Sequence, residues 1–123
     1  MSLSAGIMRR GEGIDDVHWN ILGQVYSPKS ITEECFSWAA LLPAESFVPP
    51  HIHTTQDEYI LLQSGELDLV LNGKHIHASE GDLVCMPRGI PHGIFNNTGH
   101  DVTCLCWQAG RLVPQAPQHV APG

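Results

Sequence analysis

The sequence predicts an all-β domain, and three observations carry that expectation. Short apolar runs are separated at close intervals by Gly, Pro, Asn and Asp, and none continues into a convincing amphipathic helix. Asn72-Gly73 sits between two alternating segments, the pattern of a two-residue hairpin. Pro49-Pro50 rules out a helix interior over the stretch that leads into His51. At 123 residues and 42% apolar composition, the chain has enough material for one core and too little for two.

Taken in order, residues 1–18 are polar and glycine-rich and read as a flexible N-terminal arm. Trp19 to Tyr26 is a first strand, ended by Ser27-Pro28. Glu33 to Leu42 is apolar on both alternating faces, which fits a strand covered on both sides. Its Glu, Ala and Leu content leaves a helix as the competing reading. Ser46 to His53 is an extended or edge segment, because its prolines remove donors. Glu58 to Gln63 and Glu66 to Leu71 are strands about the Ser64-Gly65 turn, with Leu67, Leu69 and Leu71 on one face. Lys74 to Ala78 pairs back across Asn72-Gly73. Asp82 to Met86, His92 to Phe95 and Val102 to Trp107 complete about nine strands. The expected organisation is an arm over 1–18, one β domain over 19–110 and a disordered C-terminal tail over 111–123.

Composition excludes several function classes. The formal net charge is −7, from 6 basic and 13 acidic residues, and no Lys/Arg cluster is present to follow a phosphate backbone. Nucleic acid is therefore not an expected partner. No run of about 18 apolar residues exists to cross a membrane. The first residues lack the apolar segment of a secretory leader, and Cys35, Cys85, Cys104 and Cys106 form no C-x-x-C pair. The expected setting is the cytoplasm, with all four thiols reduced. No Ser/His/Asp arrangement, phosphate-cradling glycine loop or dinucleotide fingerprint points to hydrolase, kinase or nicotinamide chemistry.

The chemistry-bearing residues are His51, His53, Glu58 and His92. Two histidines two apart on a strand share a face. Glu58 follows a short turn and can face the same way from the neighbouring strand. His92 comes from the other half of the chain, and a closed antiparallel barrel can bring it inward. Imidazoles suit Fe, Ni, Cu and Zn, and a carboxylate adds tolerance for Mn. The expected cofactor is thus one divalent transition metal ion: Fe, Mn, Ni, Cu or Zn. Four protein ligands on a six-coordinate metal leave open positions for substrate. His75-Ile76-His77 is a similar pair without a spaced carboxylate, and an exposed hairpin face is its plain reading.

These residues resemble the two signature motifs of the cupin superfamily. The first, G-x5-H-x-H-x4-E-x6-G, is met by His51, His53, Glu58 and Gly65, with Glu45 in place of the leading glycine. The second, G-x5-P-x-G-x2-H-x3-N, is met in full by Gly81, Pro87, Gly89, His92 and Asn96. The resemblance implies a jelly-roll β-barrel (a double-stranded β-helix) with metal on the residues matching His51, His53, Glu58 and His92. It also implies a homodimer. The short intermotif gap is that of small bacterial members, and the Pro-Pro-His-x-His and Gly-Ile-Pro-His phrases are similar to those of single-domain cupins related to quercetin dioxygenase.

Strand parity extends the expected substrate pocket to Phe47, Ile60, Leu62, Ile94 and Trp107. Trp38 is read as core or lining, and Arg88 as a solvated turn residue. Such a pocket suits a small enolic or aromatic compound. The leading functional reading is a metal-dependent dioxygenase-type oxidoreductase in which Glu58 also serves as a general base. A metal-dependent isomerase or lyase, a non-catalytic small-molecule-binding module, and a purely structural zinc site are the alternatives.

Overall fold

A computed structural model describes residues 3–111 and the backbone of Gln118 and His119. Eleven strands and a single 3-10 turn at Ile14–Asp16 make up its regular structure. The strands are β1 (Trp19–Ile21), β2 (Gln24–Ile31), β3 (Cys35–Leu42), β4 (Phe47–Ile52), β5 (Asp57–Ser64), β6 (Glu66–Leu71), β7 (Lys74–Ser79), β8 (Leu83–Met86), β9 (His92–Phe95), β10 (Val102–Ala109) and β11 (Gln118–His119). They form two antiparallel sheets, ordered β1-β2-β3-β10-β5-β8 and β11-β4-β9-β6-β7. This is the all-β jelly-roll course expected from the sequence, built as two facing sheets. The expected tail over 111–123 lies for the most part outside the described residues.

The core fills the space between the sheets. Leu42, Ile60, Leu62, Leu67, Leu69, Val102 and Cys104 are all buried in one apolar cluster. Alternation explains which side chains enter it. Along β5, Glu58, Ile60 and Leu62 are buried while Tyr59 and Leu61 are only half-buried.

Two local features differ from expectation, and a third decides between the two readings of Glu33 to Leu42 in favour of the strand. The segment from Trp19 to Tyr26 is a hairpin, because Leu22 and Gly23 both take positive φ (52° and 83°) and reverse the chain. Pro28 does not end β2; the strand runs through it, with its register against β3 shifting between Pro28 and Ser30. Glu33 to Leu42 is not helical: Cys35–Leu42 is β3, paired along its whole length with β10, and the two-sided apolar pattern outweighs helix propensity.

The motif residues that are not ligands have structural work of their own. Gly65 has φ 86°, and a Cβ there would come within 2.8 Å of Val102 Cγ2. Asn96 is fully buried. Its Nδ2 donates to the carbonyls of Leu42 (3.0 Å), Pro43 (3.0 Å) and His100 (2.8 Å), while its Oδ1 accepts from Thr98 N at 3.0 Å. One amide thereby ties the β3–β4 turn to the β9–β10 turn.

Glu45, at the motif's glycine position, holds φ 64°. A non-glycine residue in the left-handed region costs ~1–2 kcal/mol, part of which glycine would return through greater freedom of the unfolded chain. Glu45→Gly is therefore expected to stabilise the fold by about 0.5–1 kcal/mol. Calorimetry measures this directly, and an unchanged or lowered Tm would show that the Glu45 side chain offsets its backbone cost.

Candidate metal centre

β4, β5 and β9 bring the four expected ligands together. His51, next to last in β4, lies opposite His92, the first residue of β9; the two are Cα partners. His53 follows two residues on. Glu58 enters from the facing sheet on β5. The ligand nitrogens of His51, His53 and His92 all lie within 4.8 Å of one another. Glu58 spans two of these rings, with Oε1 3.4 Å from His53 Nε2 and Oε2 3.8 Å from His92 Nε2.

Outer contacts fix which nitrogen each ring presents. His51 Nδ1 lies 2.8 Å from the Pro49 carbonyl, and His92 Nδ1 lies 3.3 Å from the Ile90 carbonyl. A carbonyl only accepts, so both Nδ1 atoms carry the proton and both Nε2 atoms keep a lone pair. His92 Nε2 is buried and has no hydrogen-bond partner. A buried nitrogen without a partner, two further imidazoles and a carboxylate at one point form a donor set that a divalent cation satisfies. The residues fit a transition metal ion.

The electrostatics agree. Burial, followed by the neighbouring His51 and His53, pushes His92 down to about 4, so its ring is neutral at pH 7. Burial and then His51 lower His53 as well. Burial pushes Glu58 up to about 7, opposed by a hydrogen bond from Gln108. In that bond Gln108 Nε2 donates to Glu58 Oε1 at 2.8 Å.

A cavity of about 420 Å³ opens beside the ligands. Ile60, Ile94, Leu42 and Val48 supply aliphatic surface; Trp19, Tyr26, Phe36 and Trp38 supply an aromatic wall. Phe36 stacks on Trp38 with centroids 4.9 Å apart, and Trp19 meets Phe36 edge-on at 6.4 Å. Tyr26 donates its hydroxyl to Gln24 Oε1, and Gln24 Nε2 donates to the Phe47 carbonyl at 2.9 Å. Burial pushes the Tyr26 phenol up to about 12, so it stays protonated.

Of the pocket residues expected from parity, Ile60 and Ile94 line the cavity, whereas Phe47, Leu62 and Trp107 do not. Phe47 is 55% exposed and stacks on Phe95. The register of β4 against β9 shifts between Val48 and His51, at the two prolines, so Val48 and not Phe47 enters the cavity with His51. Leu62 has the inward parity but is sealed in the core, 1% exposed. Trp107 has the opposite parity to Cys104, Cys106 and Gln108, and stacks on Tyr59 on the other face of the sheet. Arg88 is engaged by Asp57, with Nε 3.1 Å from Oδ1 and Nη2 3.2 Å from Oδ2. His75 and His77 are exposed on β7, and His77 bridges Asp68 and Glu66.

Gln108, Tyr26 and the β1 residues were not reached from sequence. Gln108 continues the inward alternation of Cys104 and Cys106, and a lone polar residue at the end of that apolar run was its signal.

Comparison with known proteins places the chain in a family. The family model described as Cupin domain matches residues 37–108, and the chain belongs to that family. No curated protein matches the sequence. Among solved structures, KdgF from Halomonas sp. is similar at TM-score 0.74 and 15% identity, covering 88% of this chain and 96% of that one. An uncharacterised conserved protein with a double-stranded β-helix domain from Klebsiella pneumoniae is similar at TM-score 0.74 and 18% identity, covering 92% and 100%. A cupin-superfamily sugar phosphate isomerase from Silicibacter pomeroyi is similar at TM-score 0.65 and 21% identity, covering 71% of this chain and 59% of that one. Among the described residues, no helix is long and apolar enough to cross a membrane.

Glu58 and His92 make opposite contributions to the pH dependence of the metal-free protein, and His53, which is also lowered, acts in the same sense as His92. Glu58 has a folded value raised to about 7, so its contribution is present below the ordinary 4.5 and is lost as pH rises through 7. His92 has a folded value lowered to about 4, so its contribution is present above the ordinary 6.5 and is lost as pH falls through 4. Between about 4.5 and 6.5 the two slopes nearly cancel. Glu58→Gln keeps an acceptor for Gln108 but removes the carboxylate. In chelator-treated protein it is expected to raise stability at pH 8 by about 3 kcal/mol and to leave a net acid-side decline. Urea titrations from pH 4 to 8 read both effects, and parallel curves for the two proteins would refute the assignment.

Proposed function

We propose that this cupin is a metal-dependent dioxygenase-type oxidoreductase acting on a small enolic or aromatic compound. The observation that carries the reading is a cavity, apolar and aromatic along its walls, that is lined by His51, His53 and Glu58, with the buried His92 grouped with those two histidines. His51, His53, His92 and Glu58 would hold one divalent transition metal. Such an ion supplies Lewis acidity and, where redox-active, one-electron chemistry with dioxygen.

The chain's own residues perform the remaining tasks. The aromatic wall packs a planar substrate and excludes water from the reacting end. Glu58 is suited to take a proton from an enol or phenol oxygen at Oε2 when that oxygen is free of the metal, while Gln108 holds Oε1 in place. The backbone carbonyls behind His51 and His92 keep both rings in one tautomer. The likeness to single-domain cupins related to quercetin dioxygenase supports the same substrate class.

A metal-dependent isomerase or lyase is the second reading. Glu58 as a proton shuttle favours it, and it needs no oxidant. The sugar phosphate isomerase among the structural neighbours is consistent with that chemistry. Its phosphorylated substrate is not, because no Lys or Arg is among the described residues lining the cavity.

Elemental analysis of the purified protein is expected to find near one equivalent of Fe, Mn, Ni, Cu or Zn, lost in the His51→Ala/His92→Ala variant. Oxygen uptake with a catechol and flavonol panel separates the two readings: uptake supports the dioxygenase, and turnover without uptake supports the isomerase or lyase. No metal in the wild type, even after anaerobic reconstitution, would overturn both.

A further inference from the structure

The proposed reaction leaves two nucleophiles in the cavity unused. Cys104 and Cys106 are 1% and 3% exposed, lie on the inward face of β10 and both line the cavity wall. Both are free thiols. The neighbouring Cys104 thiol, followed by burial, keeps the Cys106 thiol well above its usual range.

Strand geometry decides what this pair can do. Residues two apart on a strand have Cα atoms ~6.5–7 Å apart, at or beyond the upper limit for a disulfide, and their Cβ vectors run parallel. β10 is paired on both sides, to β3 and β5, so its backbone is not free to contract. Direct sulfur–sulfur bonding is therefore disfavoured. Two thiols side by side on one strand face, both open to the same cavity, are instead placed to be bridged by one thiophilic atom. The space in front of them is apolar, with Trp38 the Cα partner of Cys106 and Phe36 stacked on Trp38, and it accepts an organic group carried by that atom.

We propose that Cys104 and Cys106 form a dithiol site for a monosubstituted trivalent arsenical or a like thiophilic compound, with its organic group seated against the aromatic wall. For an aryl arsenoxide the step is a condensation. Two S–H bonds and the arsenic–oxygen bond break, two As–S bonds form, and the oxygen leaves with both protons as water. Arsenic stays trivalent, so neither oxidant nor reductant is needed. The site does not depend on the metal reading, and chelator-treated protein is expected to show it equally.

Phenylarsine oxide is the probe, used on the full chain in a Cys35→Ser/Cys85→Ser background that removes the other two thiols. Intact-mass spectrometry is expected to show one equivalent retained through a monothiol wash and released by 2,3-dimercaptopropanol, with quenching of tryptophan fluorescence. Adding Cys104→Ala or Cys106→Ala is expected to weaken retention by about 100-fold or more, the contribution of a second, intramolecular bond. No retention in the background, or retention that a monothiol removes, overturns the proposal without reference to the alanine variants. Undiminished retention after loss of either thiol, in protein whose circular dichroism is unchanged, overturns it as well.

Discussion

Burial of polar atoms at one end of an apolar cavity is the constraint on which the rest of this structure depends. His92 is 2% exposed and its Nε2 has no partner, while the Glu58 carboxylate is 5% exposed and is met by one amide. Each costs free energy when left uncompensated in a low-dielectric interior. Keeping the His92 ring neutral and protonating Glu58 relieves part of that cost, as the directions of their shifts show. A cation relieves more, because it satisfies the imidazole lone pairs and the carboxylate charge together. The site is thus costly when empty, and an ion held there would offset that cost.

Holding such a site requires that its two halves not drift apart. The ligands come from both sheets, and polar contacts close to them join the motif segments. Gly89 N donates to the His53 carbonyl at 2.8 Å, which its φ of 80° permits. Arg88 N donates to Asp57 Oδ1 at 2.9 Å, and the Arg88 guanidinium grips the same carboxylate. The residues beside His53, Glu58 and His92 are therefore cross-braced. The glycines of the motifs act through backbone conformation and the asparagine through carbonyl capture, so the signature records a scaffold as much as a ligand set.

Sequence made the ligands legible because their spacing encodes which strand each rides on and which face it takes. The alternation of β5, β6 and β10 exposed most of the core in the same way. What stayed hidden depended on pairing. Phe47 has the parity of His51, but the register shift at Pro49-Pro50 breaks that parity, and a chain pattern does not report a shift between two strands. Trp107 shares a strand with Cys106 and points the other way; only the pairing of β10 with β5 shows that Gln108 faces Glu58. The first hairpin escaped because its turn places Leu22 in the left-handed region, where glycine or asparagine is the usual sign.

The division between ligands and walls also follows the chain. Residues 37–108 match the family model and carry His51, His53, Glu58, His92 and Gln108. Trp19, Ile21, Tyr26 and Phe36 precede that span, yet they supply most of the aromatic wall. The donor cluster and the aromatic wall are therefore set by different segments. Structural neighbours at 15–21% identity share the fold, and a likeness at that level carries no information about which side chains line the wall. A substrate for this chain is better sought from the stacked rings of Phe36 and Trp38 than from the compounds its neighbours are named for.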